Sequence, residues 1–207
     1  MRKMFRIGEA LLWLGLLAGF TGCNDGAPAG HEEGRVFQTG EVQLVQPDLL
    51  VQKAALTDGG SSLSNLLSPD YFDFTVRPDR ITDYDHGYFS WYSQPGTVAS
   101  RTNIAGTWMG PRGYYGYDMS PHGLNFGQAV DLGIDVTPVV ILGLADVDNL
   151  VMLLDNEDGT YTEIPATVET MGLEALGTLR YQLKGTVWHF SKYVIGIGPP
   201  PGGSGDN

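Results

Sequence analysis

The chain has 207 residues and a formal net charge of −12, and so acidic a surface repels phosphate backbones and argues against nucleic acid as a partner. Twenty-nine glycines, twelve prolines and only 17% charged residues argue against long charged helices. Cys23 is the single cysteine, so no intrachain disulfide staples the fold and a hydrophobic core must hold it.

Arg2, Lys3 and Arg6 precede an apolar run of eleven residues, Ala10 to Phe20. Spanning a bilayer takes about 20 apolar residues, so this run reads as the core of a signal peptide. The small pair Thr21-Gly22 then leads into Cys23. The arrangement resembles a bacterial lipoprotein signal peptide, whose lipobox sets a bulky apolar residue and two small ones directly before the cysteine. Phe20 stands where leucine is usual, and Glu9 sits beside the apolar run. The resemblance implies a diacylglyceryl thioether on Cys23, cleavage after Gly22 and a further acyl chain on the new amino terminus. Each buried methylene contributes about 0.8 kcal/mol, so two or three chains anchor a protein durably where one does not. Asn24 after Cys23 implies passage to the outer membrane rather than retention at the inner one. Loss of residues 1–22 removes three of the twelve basic residues and one of the 24 acidic ones, leaving a net charge of −14.

Residues 23–35 have no apolar periodicity and read as a flexible tether, with His31, Glu32 and Glu33 part of it rather than a metal site. One domain is expected over 36–198, followed by a disordered tail over 199–207. Val36 to Ala55 suggests an edge strand or two, interrupted at Pro47, and 58–69 a loop. Phe72, Phe74 and Val76 alternate with polar residues, the period of a half-buried strand. Asp83 to Gly87 reads as a turn without calcium-loop spacing.

Tyr88 to Tyr92, Asn103 to Trp108 and Tyr115 to Met119 follow as strands, with breaks at Pro95-Gly96, Gly110-Pro111 and Ser120-Pro121. Val130, Leu132, Ile134 and Val136 share one face of the next strand, with Asp131 and Asp135 on the other. Ala145 to Asn149 allows a single helical turn, and Leu150 to Leu154 is apolar throughout, as in a central strand covered on both faces. Asp155 to Gly159 is a turn before Tyr161 to Ile164; its glycine and distal glutamate miss the offsets of a calcium loop. Leu179, Tyr181 and Leu183 alternate, Gly185 turns, and Thr186 to Ile197 closes the domain. Strands at intervals of about ten residues separated by Gly, Pro and Asn turns point to an all-β antiparallel sandwich or barrel.

The order of motifs over 88–197 is similar to the ZU-five domain of zonula occludens proteins, ankyrins, netrin receptors and bacterial surface proteins. Pro95-Gly96-Thr97-Val98 with Thr102-Asn103-Ile104 carries the first part, and Tyr117 to Phe126 an aromatic strand running into a proline–glycine turn. His189-Phe190-Ser191-Lys192-Tyr193 carries the closing strand. Thr97 replaces the usual alanine, and 137–148 has no clear counterpart. The resemblance implies a ZU-five or immunoglobulin-like sandwich. In some eukaryotic relatives the His-Phe-Ser tripeptide cuts itself. Carried onto this chain, Ser191 Oγ would attack the Phe190 carbonyl with His189 as general base, and water would hydrolyse the resulting ester. As structural residues, Trp188, Phe190 and Val194 would share the core-facing parity, with His189, Ser191 and Tyr193 on the other.

The leading expectation is a non-enzymatic, lipid-anchored structural or interaction module of the bacterial envelope, needing no cofactor or metal. Self-cleavage at Phe190–Ser191 is the alternative enzyme reading. A third reading is a glycan- or protein-binding module using Trp91, Tyr92, Trp108, Tyr115 and Tyr117, which otherwise fill the core.

Overall fold

A computed structural model describes residues 34–56, 71–173 and 179–198. The expected signal segment with Cys23, the expected tether as far as 33, the expected loop over 58–69 and the expected tail over 199–207 lie outside the described residues.

Two antiparallel sheets pack face to face. The larger runs in the order β1 (Val36–Gln38), β10 (Thr160–Ile164), β9 (Leu150–Asp155), β13 (Lys192–Ile197), β7 (Gly116–Ser120), β6 (Thr102–Trp108) and β3 (Phe72–Val76). A short β2 (Gln43–Leu44) also pairs with the end of β13. The smaller sheet runs β11 (Ala166–Leu173), β12 (Leu179–His189), β8 (Asn125–Asp135), β5 (Phe89–Ser93) and β4 (Thr82–Asp85). A β-sandwich is what the sequence led us to expect.

Period-two alternation sorts side chains between the inside and the outside. In the small sheet Trp91 pairs across to Leu132, and Leu132 to Gly185; Phe89 pairs to Ile134, and Ile134 to Leu183. These positions face the large sheet and form the main core. Aromatic rings bridge the gap at one end: Phe72 of β3 stacks on Phe89 of β5 at 4.2 Å, and Phe74 on Tyr84 of β4 at 4.2 Å. A second, smaller core lies on the outer face of the large sheet, where Phe37, Val42, Met109, Leu153, Tyr161 and Val194 cluster. It explains why Tyr193, Val194 and Ile195 of β13 are buried in succession, and why Leu150 to Leu154 of β9 are all apolar.

The structure corrects several sequence expectations. Residues 47–56 form helix α1 (Pro47–Leu56) rather than strand. Pro47 suits the first helical position, where its missing N–H leaves no bond unmade, and Asp48 and Lys53 complement the helix dipole. Leu50 and Ala54, four residues apart, supply the buried stripe. Lys53 Nζ reaches across to the carbonyl oxygens of Leu142 and Gly143 at 3.2 and 3.0 Å, at the end of the short helix α2 (Thr137–Ile141). A 3-10 turn at Val147–Asn149 occupies the expected single turn.

Thr82–Asp85 is edge strand β4 rather than part of a turn, because Tyr84 packs on Phe74 while Asp83 and Asp85 point outward. Gly185 is mid-strand, not a turn: a Cβ there would meet Met152 Sδ and Ile164 Cγ2 at 3.1 Å, so its bareness allows the sheets to approach. Strand β11 is not apparent in the sequence, since Ala166, Val168 and Thr170 make a weak inward row. The expected closing strand Thr186 to Ile197 is divided at Phe190–Ser191 between β12 in the small sheet and β13 in the large one.

The buried phenols of Tyr115 and Tyr193 have their pKa values raised, chiefly by burial, with Asp135 adding to the effect at Tyr115. Tyr115 donates to the Asp135 carbonyl oxygen at 2.8 Å, and Tyr193 to that of His189. A raised folded pKa gives stability that is fully present below the unfolded tyrosine value of about 10 and is lost as pH rises above it. Denaturation monitored by circular dichroism should therefore show falling stability above about pH 10. In the same range, tyrosinate absorbance from these two rings should appear only with unfolding.

Candidate functional site

The two places singled out in the described sequence differ in character. His189, Phe190 and Ser191 occupy the passage between sheets. Phe190 is buried, stacking on Trp91 at 5.5 Å and meeting Phe126 edge-on at 4.8 Å. Its N–H donates to the Leu124 carbonyl at 2.9 Å, and the Ser191 carbonyl accepts from the Met119 N–H at 3.1 Å. The Tyr193 hydroxyl holds the His189 carbonyl. The crossover is thus pinned by backbone bonds on both sides of the Phe190–Ser191 peptide. Among the described residues the one non-glycine with positive φ is Glu157, in the β9–β10 hairpin and not at this crossover. Parity departs from expectation here: Val187 and Phe190 are buried while Trp188 is half-buried, because the ladder shifts register between Val187 and His189. Tyr193, expected on the outward parity, is buried.

The aromatic set does not form one platform. Trp91, Tyr115 and Tyr117 are 1 to 2% exposed and belong to the main core. Trp91 also satisfies its indole N–H internally, on Ser93 Oγ at 2.9 Å. Trp108 is half-buried and lies edge-on against Tyr115 at 4.8 Å. Tyr92 alone of the five presents a ring to solvent, at 37% exposure, since it is the outward neighbour of Trp91 on β5.

Tyr92 borders a cleft of about 770 Å3 over the outer face of the small sheet. Its size falls within the range of small-molecule sites, about 300–1,000 Å3. Outward positions of all five strands contribute: Asp83 and Asp85 from β4, Ser90 and Tyr92 from β5, Asp131 and Gly133 from β8. Gln182, Lys184 and Thr186 come from β12, and Thr167 and Glu169 from β11; Glu163 of β10 adds a further carboxylate at the rim. The cleft thus gathers five carboxylates around one ammonium group. Lys184 Nζ pairs with Glu169 Oε2 at 2.7 Å and Arg35 Nε lies 3.9 Å from Glu163 Oε2, leaving Asp83, Asp85 and Asp131 without a lysine or arginine partner among the described residues. Among the described residues, no cluster of three or more acidic, His or Cys side chains has the spacing to hold a metal ion.

The floor of the cleft holds an anomaly. Gln182 is 0% exposed, yet neither Oε1 nor Nε2 has a hydrogen-bond partner among the described residues. A buried amide without partners costs about 1–3 kcal/mol. Its side chain lies across Gly133 beside Ser90: a Cβ on Gly133 would fall 2.4 Å from Ser90 Oγ and 2.6 Å from Gln182 Cδ. Glycine is therefore required for the amide to lie flat on the sheet. Two residues away on the same strand face, Arg180 Nε donates to Asp135 Oδ2 at 2.8 Å, and its Nη2 is likewise without a partner among the described residues.

Outward aspartates at 131 and 135 are visible in the sequence, but the cleft as a site is not. Its members come from six strands, two of which, β4 and β11, the sequence does not mark as strands, and the burial of Gln182 follows from neighbours on those strands. No family model matches the chain, and comparison with curated proteins finds no match.

Phe190 seals the crossover, so Phe190→Ala should cost about 3–5 kcal/mol, as for other buried Phe→Ala changes. Ser191→Ala should change stability by less than about 0.5 kcal/mol. Urea denaturation of the two variants measures the difference.

Proposed function

We propose that the chain is an exported, lipid-anchored, non-enzymatic interaction module of the bacterial envelope, related in architecture to ZU-five domains. The observation that carries this reading is the position of Cys23. It is the sole cysteine of the chain and follows a cationic start, an eleven-residue apolar run and two small residues. A lone thiol at that point is the substrate of lipid transfer, and acylation supplies the membrane affinity that so short an apolar run lacks.

The arrangement at 189–191 supports a structural role for the closing motif. Phe190 is packed between two aromatic rings, and the backbone on either side of its bond to Ser191 is hydrogen-bonded into the sheets. The order of aromatic strand, turn and closing His-Phe-Ser-x-Tyr supports the ZU-five likeness. The open acidic face of the small sheet supports an interaction role, since it offers a concave polar surface rather than a packed one.

Growth with labelled palmitate tests the reading. The wild-type protein should carry label and partition into the detergent phase, whereas Cys23→Ala should lose both label and membrane retention. An unmodified thiol in an aqueous-phase wild-type protein overturns the proposal. Intact-mass measurement of the purified protein should show no fragment ending at Phe190; such a fragment would establish self-cleavage instead.

A further inference from the structure

From the unpartnered amide of Gln182 and the charge around it, we infer that the small-sheet cleft binds a short glycan carrying free amino groups. The inference deepens the interaction role proposed above and rests on it. Three observations converge. The amide is buried at the floor of the cleft with a donor and an acceptor both unused among the described residues, the complement of the neighbouring ammonium and hydroxyl of an amino sugar: Oε1 can accept from the ammonium and Nε2 donate to the hydroxyl. Hydroxyls of Ser90, Thr167 and Thr186 stand around it, and the partly exposed ring of Tyr92 offers an apolar face for a sugar ring. The carboxylates of Asp83, Asp85, Asp131, Glu163 and Glu169 outnumber the single ammonium of Lys184, so an anionic occupant is repelled and a cationic one is drawn in.

Shape favours a glycan over a basic peptide. The cleft crosses all five strands, and with neighbouring strands about 4.8 Å apart its length is about 19 Å, a span for a few linked sugar rings. The occupant lies over the face of the sheet, where the backbone N–H and C=O groups of the inner strands are committed to the ladders. A peptide there gains no strand pairing, whereas a sugar chain needs only side-chain partners.

The ion pair at the corner of the cleft explains how a covered amide is reached. Glu169 is the cross-strand neighbour of Gln182 on β11, and Lys184 its neighbour two residues along on the same face. Their contact at 2.7 Å joins two side chains that are 50% and 31% exposed. Exposed pairs of this kind hold weakly. A ligand amine that takes over Glu169 releases Lys184 and opens the path to the amide.

Isothermal titration of the full-length protein tests this with three probes: a glucosamine hexamer, its fully N-acetylated counterpart and hexalysine. The glucosamine hexamer should bind at least about tenfold more tightly than either of the others, and more weakly as salt rises. Asp131→Asn should reduce that affinity about tenfold. Gln182→Met should abolish it while leaving the melting temperature unchanged or higher, because the substitution removes an unsatisfied amide from a buried position. The proposal is overturned if the glucosamine hexamer fails to bind, or if the acetylated chain or hexalysine binds equally well. Wild-type affinity in Gln182→Met overturns it too. Failed titration of a protein that still incorporates palmitate removes the cleft assignment alone, and loss of the anchor with intact binding removes only the other.

Discussion

The closing segment of this chain must leave one sheet and enter the other, and the ring of Phe190 makes that passage possible. Strands β12 and β13 meet at a two-residue step with no loop to spare. Phe190 fills the space between sheets at that step, against Trp91 on one side and Phe126 on the other. Without the ring, the backbone groups of the step would lie beside a void in the core. The hydroxyl of Tyr193, directed back at the carbonyl of His189, fastens the same corner from the large sheet. The His189-Phe190-Ser191 tripeptide occupies the position that joins the two layers.

The two sheets treat their outer faces differently. The outer face of the large sheet carries the second core of Phe37, Val42, Met109, Leu153, Tyr161 and Val194, so that its central strands are buried on both sides. The small sheet is left open, and its outer rows carry carboxylates, hydroxyls and an amide in place of apolar side chains. That face is concave, acidic and contains a buried polar group whose hydrogen-bonding capacity is unused among the described residues. An apolar residue at position 182 would fit the same environment at lower cost. On the glycan-binding proposal the amide is a concession of stability to binding, in keeping with the general opposition between the two.

Much of the fold was legible because a strict period of two survives in the strands that face a single core. Phe72, Phe74 and Val76, or Val130 to Ile134, announce both the strand and its inward face. Legibility fails where a second core intrudes or where backbone chemistry overrides pattern. The apolar residues of α1 suggest a second edge strand beyond Pro47, because Leu49, Leu50 and Val51 make an apolar run as short as that of Val42 to Val45. Gly185 was read as a turn because sequence does not distinguish a glycine that bends the chain from one that makes room for Met152. The candidate site was less legible still. Tyr92 and Trp91 are adjacent and chemically alike, yet one faces water and the other the core, and only pairing of β5 with β8 and β4 decides which is which.

Strand β2 joins residues 43 and 44 to 197 and 196, and β1 joins residues 36 to 38 to 162 through 160. The large sheet is consequently stitched from opposite ends of the polypeptide, and it stays incomplete until nearly all of the chain is present. Such remote closures make folding slow. If the protein is exported, as proposed above, delay of this kind is useful: the polypeptide remains pliable enough to be threaded, and assumes its final shape only after it has arrived.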